Sequence, residues 1–404
     1  MRAYERLMRY AAVDTQSDES NRENVPSTEK QFAFGMLLRN EMQDLGMKDV
    51  YTDPHAYVYG FLPASPGREK EPVIGLIAHI DTAPDFSGTG VKPVLHPNYD
   101  GRDLPLGQSG RVLSAEVFPD LKKCIGHTLM TTDGTTLLGA DDKAGVAEIL
   151  TACERLINEG GSHRGVAVCF PPDEEIGHGA ALLDLDLFGA AFAYTVDGGD
   201  VDEINFETFN AASAEFKVKG VNVHPGSAKG IMVNAALLAA RINAMLPADE
   251  IPARTENYEG FYHLTDIRGD VSEAEFRLIV RDHDAARFAA RCDRLREIEK
   301  ALNAECGAGT VTLTLREQYR NMAEILADHM DVVTRAEDAI RACGLTPVRR
   351  PIRGGTDGSQ LSFRGLPCPN LGTGGAAYHG PFEHISAENM DKMVDILLYI
   401  LCAE

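Results

Sequence analysis

Apolar residues come along this chain in two rhythms. Short, nearly unbroken runs occur in PVIGLIAHID (72–81), RGVAVCF (164–170) and FAYTVDGG (192–199). With β-branched residues among them and no polar alternation, they predict strands covered on both faces, as in a parallel sheet. Elsewhere the period is helical. PSTEKQFAFGMLLRNEMQDLGM (26–47) has Thr28 and Gln31 at capping-box spacing and Gly46 as a stop signal, which predicts a helix. DDKAGVAEILTACERLINEG (141–160) predicts another, closed by Gly160, and Met8, Ala11 and Ala12 mark one near the start. A Gly/Pro/Asp-rich excursion fills 82–130. Strands alternating with helices predict an open α/β sheet.

Between about residues 208 and 318 the order becomes strand AEFKVKGVNVH, helix IMVNAALLAARINAML, strands GFYHLTDIRG and EAEFRLIVRD, helix DAARFAARCDRLREIEKALNAE and strand TVTLTLRE. In EAEFRLIVRD, Ala274, Phe276, Leu278 and Val280 alternate with mostly polar residues, the period of a half-exposed strand. This βαββαβ order is ferredoxin-like. The expectation is an α/β main domain built from 1–207 and 319–404, interrupted by an inserted ferredoxin-like domain at 208–318. The final helix, SAENMDKMVDILLYILCA, carries the apolar stripe Met390, Met393, Val394, Leu397 and Leu401.

Composition narrows the function. A chain of 404 residues has room for two domains. Its net charge of −22 argues against a nucleic-acid partner, which wants a basic face. The first residues lack the apolar core of a signal peptide, and the longest apolar run, ILLYILC, is too short to span a bilayer. Eight cysteines without a C-x-x-C pair suit free thiols in a reducing cytoplasm. The expected protein is cytoplasmic and binds no membrane.

Several runs end in side chains that can hold a metal. GLIAHID ends in His79 and Asp81, GVAVCFPPDEE in Glu174 and Glu175, and FAYTVDGG in Asp197. TLLGADDKAG places Asp141 and Asp142 at a helix start, and GTGGAAYHG delivers His379. Open α/β sheets bind ligands beyond the carboxyl ends of their strands, so these groups are expected at one edge. Singly, each has a plainer role: a structural histidine, an N-cap, a loop carboxylate. His79 and Asp81, two apart on an extended strand, share a face, so Asp81 can hold one ring nitrogen while the other meets a metal. Glu174 and Glu175 point opposite ways, so one can ligate while the other acts as a base. Histidines and carboxylates without cysteine form a set for Zn²⁺, Mn²⁺ or Co²⁺. GTGGAA mimics a dinucleotide loop only weakly, and no G-x-S-x-G, H-E-x-x-H or Walker motif occurs.

Taken in order, AHIDTAPD, DGTTLLGADDKAGVAEI, PDEEIGHGA, YTVDGG, NVHPGSAKG and IRGGTDGSQLSFRGLPCPNLGTGG resemble the peptidase T, or tripeptide aminopeptidase, family. It lies in the dinuclear zinc peptidase superfamily with carboxypeptidase G and succinyl-diaminopimelate desuccinylase. The resemblance covers nearly the whole chain. It implies a zinc-peptidase (phosphorylase/hydrolase-like) mixed sheet sandwiched by helices, with the insert as a lid or dimerisation-type domain. It implies an aminopeptidase acting on tripeptides with two divalent ions per subunit, zinc first, cobalt or manganese as substitutes. Asp141 would bridge the two ions, His79 and Asp197 would complete one site, and Glu175 and His379 the other. Asp81 would orient His79. Glu174 would be the general base, taking a proton from the attacking water and giving it to the leaving amine. His224 would stabilise the oxyanion, and Arg281 and Arg353 would hold a substrate carboxylate. The alternative on the same fold is a carboxypeptidase or N-acyl-amino-acid deacylase; a homodimer is compatible with either. One departure stands out: the family pattern H-G-K-H-E-F reads HGPFEHIS here, with Phe382 for the second histidine, Glu383 kept and a histidine at 384.

Overall fold

The computed structural model describes residues 1–403. The chain forms two compact units. The first takes Met1–Phe206, Glu324–Arg350 and everything from Thr356 onward; the second takes Glu207–Ala323 and Pro351–Gly355.

The first unit is built on an eight-stranded mixed sheet. Its strands run in the order Lys48–Thr52, Val58–Leu62, Val166–Phe170, Ile74–Ile77, Phe192–Gly198, Asn370–Gly372, Glu203–Asn205 and Val348–Arg349. The central strands carry unbroken apolar runs because both faces are covered. Ile74, Leu76, Val166, Val168, Phe170, Tyr194 and Val196 face one core, formed with the helices Ala3–Ala11, Lys30–Asp44, Ala140–Glu159, Met330–Ala342 and Ala387–Cys402. The alternate residues Ile77, Ala167, Cys169 and Ala193 face a second core with Phe188, Leu361 and Leu366. The stripe of the last helix, Met390 to Leu401, is buried in the first. Gly145 lets the helix Ala140–Glu159 lie close on the sheet, since a Cβ there would stand 2.0 Å from the Val196 carbonyl oxygen.

The second unit is an antiparallel sheet in the order Phe261–Gly269, Glu273–Asp282, Asn210–Lys219 and Val311–Tyr319. Helices Ala235–Ala244 and Ala285–Cys306 cover one face, over Phe216, Val218, Phe276, Leu278 and Val280. The connectivity and strand order are those of a ferredoxin-like fold.

Two local expectations fail for physical reasons. Thr28 and Gln31 form no capping box: Gln31 donates to Asp173 and the Thr28 hydroxyl to the Gln16 carbonyl, so the helix begins at Lys30. The strand read as AEFKVKGVNVH stops at Lys219, and the next helix starts only at Ala235, where the Asn234 side chain accepts from the Leu237 N–H at 3.1 Å. The excursion 82–130 carries short strands of its own. It supplies strands to a small sheet, Gly375–Ala376, His384–Ser386, Leu129–Thr131 and Val94–His96, and a hairpin, Leu104–Leu106 with Arg111–Leu113. Both rest on a core of Tyr99, Leu106, Leu113, Leu121 and Leu129.

Candidate metal centre

The adjacent parallel strands Val166–Phe170, Ile74–Ile77 and Phe192–Gly198 point their carboxyl ends the same way. Glu174 and Glu175 follow the first, His79 and Asp81 follow the second, and Asp197 lies at the end of the third. Asp141 and His379 come from elsewhere. Asp141 sits in the first turn of the helix Ala140–Glu159, with non-helical backbone at Asp141 and Asp142, and His379 follows the short strand Gly375–Ala376.

These groups form two clusters that share one carboxylate. Donor atoms of His79, Asp141 and Asp197 lie within 4.8 Å of one another, as do those of Asp141, Glu175 and His379. His79 Nε2 is 3.1 Å from Asp141 Oδ1 and 3.5 Å from Asp197 Oδ1. His379 Nε2 is 3.2 Å from Asp141 Oδ2 and 3.0 Å from Glu175 Oε2. Asp141 thus turns one oxygen to each cluster, the disposition a bridging ligand needs.

The electrostatics call for cations. Burial pushes the Glu175 carboxyl up to about 8, with the Asp141 charge adding to it, and pushes Asp197 up to about 6. Burial would lower His79, but the carboxylates of Asp197, Asp141 and Asp81 outweigh it and hold the imidazole well above its usual range. Hydrogen bonds to Asp141 and Glu175 raise His379 to about 11. Burial would likewise raise Asp141, yet the two imidazoles draw it below the ordinary carboxylate range. Glu175 Oε1 is buried with no hydrogen-bond partner among the described residues. Crowded carboxylates with an orphaned oxygen, imidazoles and no thiolate match the chemistry of a pair of divalent ions.

A second layer of carboxylates braces the first. Asp81 Oδ1 lies 3.2 Å from His79 Nδ1, and its carboxylate also accepts the N–H groups of Glu174 (3.0 Å) and Glu175 (3.3 Å). Asp142 accepts the N–H of His79 (3.2 Å) and of Gly145 (3.1 Å). Asp173 accepts the Ser27 hydroxyl (2.6 Å) and the Gln31 amide (2.7 Å), tying its loop to the N-terminal segment. Glu383 accepts the N–H groups of Leu138, Gly139 and Asp141. Sequence reasoning treated Asp142 as a helix-start residue and gave Asp173 and Glu383 no task. The available signal was proximity: each lies within four residues of a candidate ligand.

The remaining candidates fall as follows. Burial, then the charges of Asp197 and Asp357, raise the proton affinity of Glu174 well above the carboxylate norm. His224 is exposed in a loop of the second unit, its Nδ1 accepting from the Gly226 N–H at 3.1 Å. Arg281, on the strand Glu273–Asp282, donates to the Ala212 and Val280 carbonyls and stands 5.3 Å from the Tyr319 ring centroid. It has no carboxylate partner among the described residues. Arg353 donates to the carbonyls of Thr255, Asn257 and Glu259 and to the Thr255 hydroxyl, and stacks on Phe209 and Phe261. Phe382 packs on Phe118 with ring centroids 5.2 Å apart, and His384 is buried with Nδ1 on the Phe382 carbonyl. The exchange at 382 therefore serves the core of the small sheet.

A profile of peptidase family M20/M25/M40 matches residues 131–403. Proteins named peptidase T align over almost the full chain. That of Clostridium perfringens strain 13 is 49% identical over 99% of this chain and 98% of its own, and that of Bacillus licheniformis 50% identical over 98% and 97%. The solved structure of the aminopeptidase PepT from Bacillus cereus ATCC 10987 superposes with a TM-score of 0.78 at 24% identity, covering 99% of this chain and 97% of that one. A family profile over most of the chain and full-length relatives at half identity place this chain in peptidase family M20/M25/M40, with the proteins named peptidase T.

Proposed function

We propose that this protein is a metal-dependent aminopeptidase that removes the N-terminal residue from tripeptides. The observation that carries it is the pair of three-residue donor clusters joined by Asp141, with Glu174 beside them. The relatives named peptidase T support the substrate class.

His79, Asp141 and Asp197 would hold one divalent ion, and Asp141, Glu175 and His379 the other. Such ions supply Lewis acidity and lower the pKa of water towards neutrality. Asp81 fixes the tautomer of His79 and the backbone of the Glu174–Glu175 turn. Glu174 takes the proton of the attacking water and returns it to the leaving amine. His224 would stabilise the oxyanion. Arg281, a guanidinium without an anionic partner among the described residues, would take the C-terminal carboxylate of the substrate. Zinc is the ion we assign, with cobalt or manganese as substitutes. Eight free cysteines suit a reducing cytoplasm.

Two measurements test this. Glu174→Gln should keep both metals but lose roughly 10²–10⁴-fold in kcat; near-normal turnover at full metal loading rejects the base. In a substrate series, free tripeptides should be cleaved far faster than dipeptides, tetrapeptides or N-acetylated tripeptides. Preference for N-acylated substrates would select the deacylase alternative.

A further inference from the structure

We propose that Glu383 is a positioning residue of the metal centre, whose carboxylate seats the turn carrying Asp141. The proposal rests on the metal ligands assigned above and adds what sets their spacing.

Glu383 is 2% exposed, and its carboxylate meets three backbone donors. One oxygen accepts from Leu138 N–H at 2.7 Å and Gly139 N–H at 2.8 Å; the other accepts from Asp141 N–H at 3.0 Å. These N–H groups lie where the chain turns, with Gly139 at φ +75°, into the helix Ala140–Glu159. The first N–H groups of a helix have no partner within it, so a buried turn of this kind needs an acceptor. A carboxylate meeting three donors makes charge-assisted bonds, stronger than neutral ones.

The origin of Glu383 gives the contact its consequence. It stands four residues after His379, on the loop that delivers that imidazole. One loop therefore supplies a donor to one cluster and fixes the backbone of the residue that joins both. The braces link the ligand-bearing loops in series. Glu383 holds Asp141, Asp142 holds His79, and Asp81 holds Glu174 and Glu175. Glutamine at 383 cannot replace the carboxylate, because its NH₂ would face either the Asp141 N–H or the Leu138 and Gly139 pair.

Glu388 provides the control. It accepts the Thr128 N–H at 2.8 Å, a similar bond from a turn that carries no ligand. Metal-stripped wild type, Glu383→Gln, Glu383→Asp and Glu388→Gln are titrated with Zn²⁺ by calorimetry and with Co²⁺ in the visible spectrum. Tripeptide kinetics follow at saturating metal. Glu383→Gln should bind Zn²⁺ about tenfold or more weakly, shift the cobalt bands and lose kcat, with KM within about threefold. Glu383→Asp, which keeps both acceptors on a shorter arm, should recover part of each, and Glu388→Gln should match wild type. Wild-type zinc affinity and cobalt bands in Glu383→Gln overturn the proposal whatever its melting temperature; so does equal weakening in Glu388→Gln. If Glu383→Gln does not fold, Glu383→Asp with unchanged affinity and spectrum overturns it instead. A wild-type protein that binds the metals yet ignores tripeptides refutes the functional assignment, while the metal titrations still decide Glu383.

Discussion

By sequence Arg281 and Arg353 are equal candidates for a substrate carboxylate, and their surroundings separate them. Arg353 spends its terminal nitrogens on the carbonyls of Thr255, Asn257 and Glu259, so its first task is to hold that loop. Arg281 keeps a charge that burial makes costly, its pKa drawn below the arginine norm, with no carboxylate beside it among the described residues. Arg281→Met should therefore raise KM for tripeptides roughly tenfold or more, the worth of a charged hydrogen bond, and erase the preference for a free C-terminus over a tripeptide amide. Arg353→Met should instead cost about 1 kcal/mol in urea unfolding, as carbonyls lose their donor, with a smaller change in KM. The reverse pattern would exchange the two roles. The ligand candidates were legible because each ends or begins an element that the apolar pattern marks. The bracing carboxylates were not, since a lone Glu383 says nothing of backbone N–H groups at 138–141, more than two hundred residues earlier. Phe382 is a similar case: its partner Phe118 lies in a segment whose strands are three residues long, too short for a periodic signal.

The helix Ala140–Glu159 is the element on which the centre depends most. It carries Asp141 and Asp142 at one end and lies against the strand Phe192–Gly198, which bears Asp197 near its end. Gly145 controls that approach: a Cβ would stand 2.0 Å from the Val196 carbonyl and 2.5 Å from Asp142 Oδ1. Neither neighbour is a flexible side-chain end with room to swing away, because Asp142 is itself tied to His79. Gly145→Ala should thus destabilise by about 2 kcal/mol or more, although alanine is the better helix former. It should also weaken zinc binding, since relief must move the helix start or the strand end. Urea unfolding and a zinc titration read both effects, and a variant as stable as wild type would show that the close approach carries no constraint. The strands of this sheet were readable from unbroken apolar runs, and the helix from its period. The close contact was not, because a glycine in a helical pattern looks the same whether it packs against a sheet or faces water.

At the scale of the molecule, a chain with a net charge of −22 gathers several carboxylates in one place, and a bound dication would offset their mutual repulsion. In the metal-stripped protein, burial pushes Glu175 up to about 8 and Asp197 up to about 6, above the ordinary carboxylate range. An acid whose folded pKa is raised stabilises the fold fully below its unfolded pKa, and the contribution is lost as pH rises through the folded value. His79 and His379, also raised, lose theirs in the same direction. Asp141, lowered, contributes above its unfolded value and gives way only in acid. The stripped protein should accordingly lose stability from about pH 4 to about pH 11, as Asp197, Glu175 and then His379 pass through their folded values. Metal binding runs the other way, because it needs ionised carboxylates and neutral imidazoles and tightens as protons leave. The gap in melting temperature between zinc-loaded and chelator-treated protein should therefore widen from about pH 5.5 to about pH 8, with protons released on binding. Calorimetric scans at the two pH values measure the gap, and titrations in buffers of different ionisation enthalpy count the protons. A gap independent of pH, with no proton release, would mean that these groups are already ionised without metal and that the crowding around Asp141 is relieved by something other than a dication.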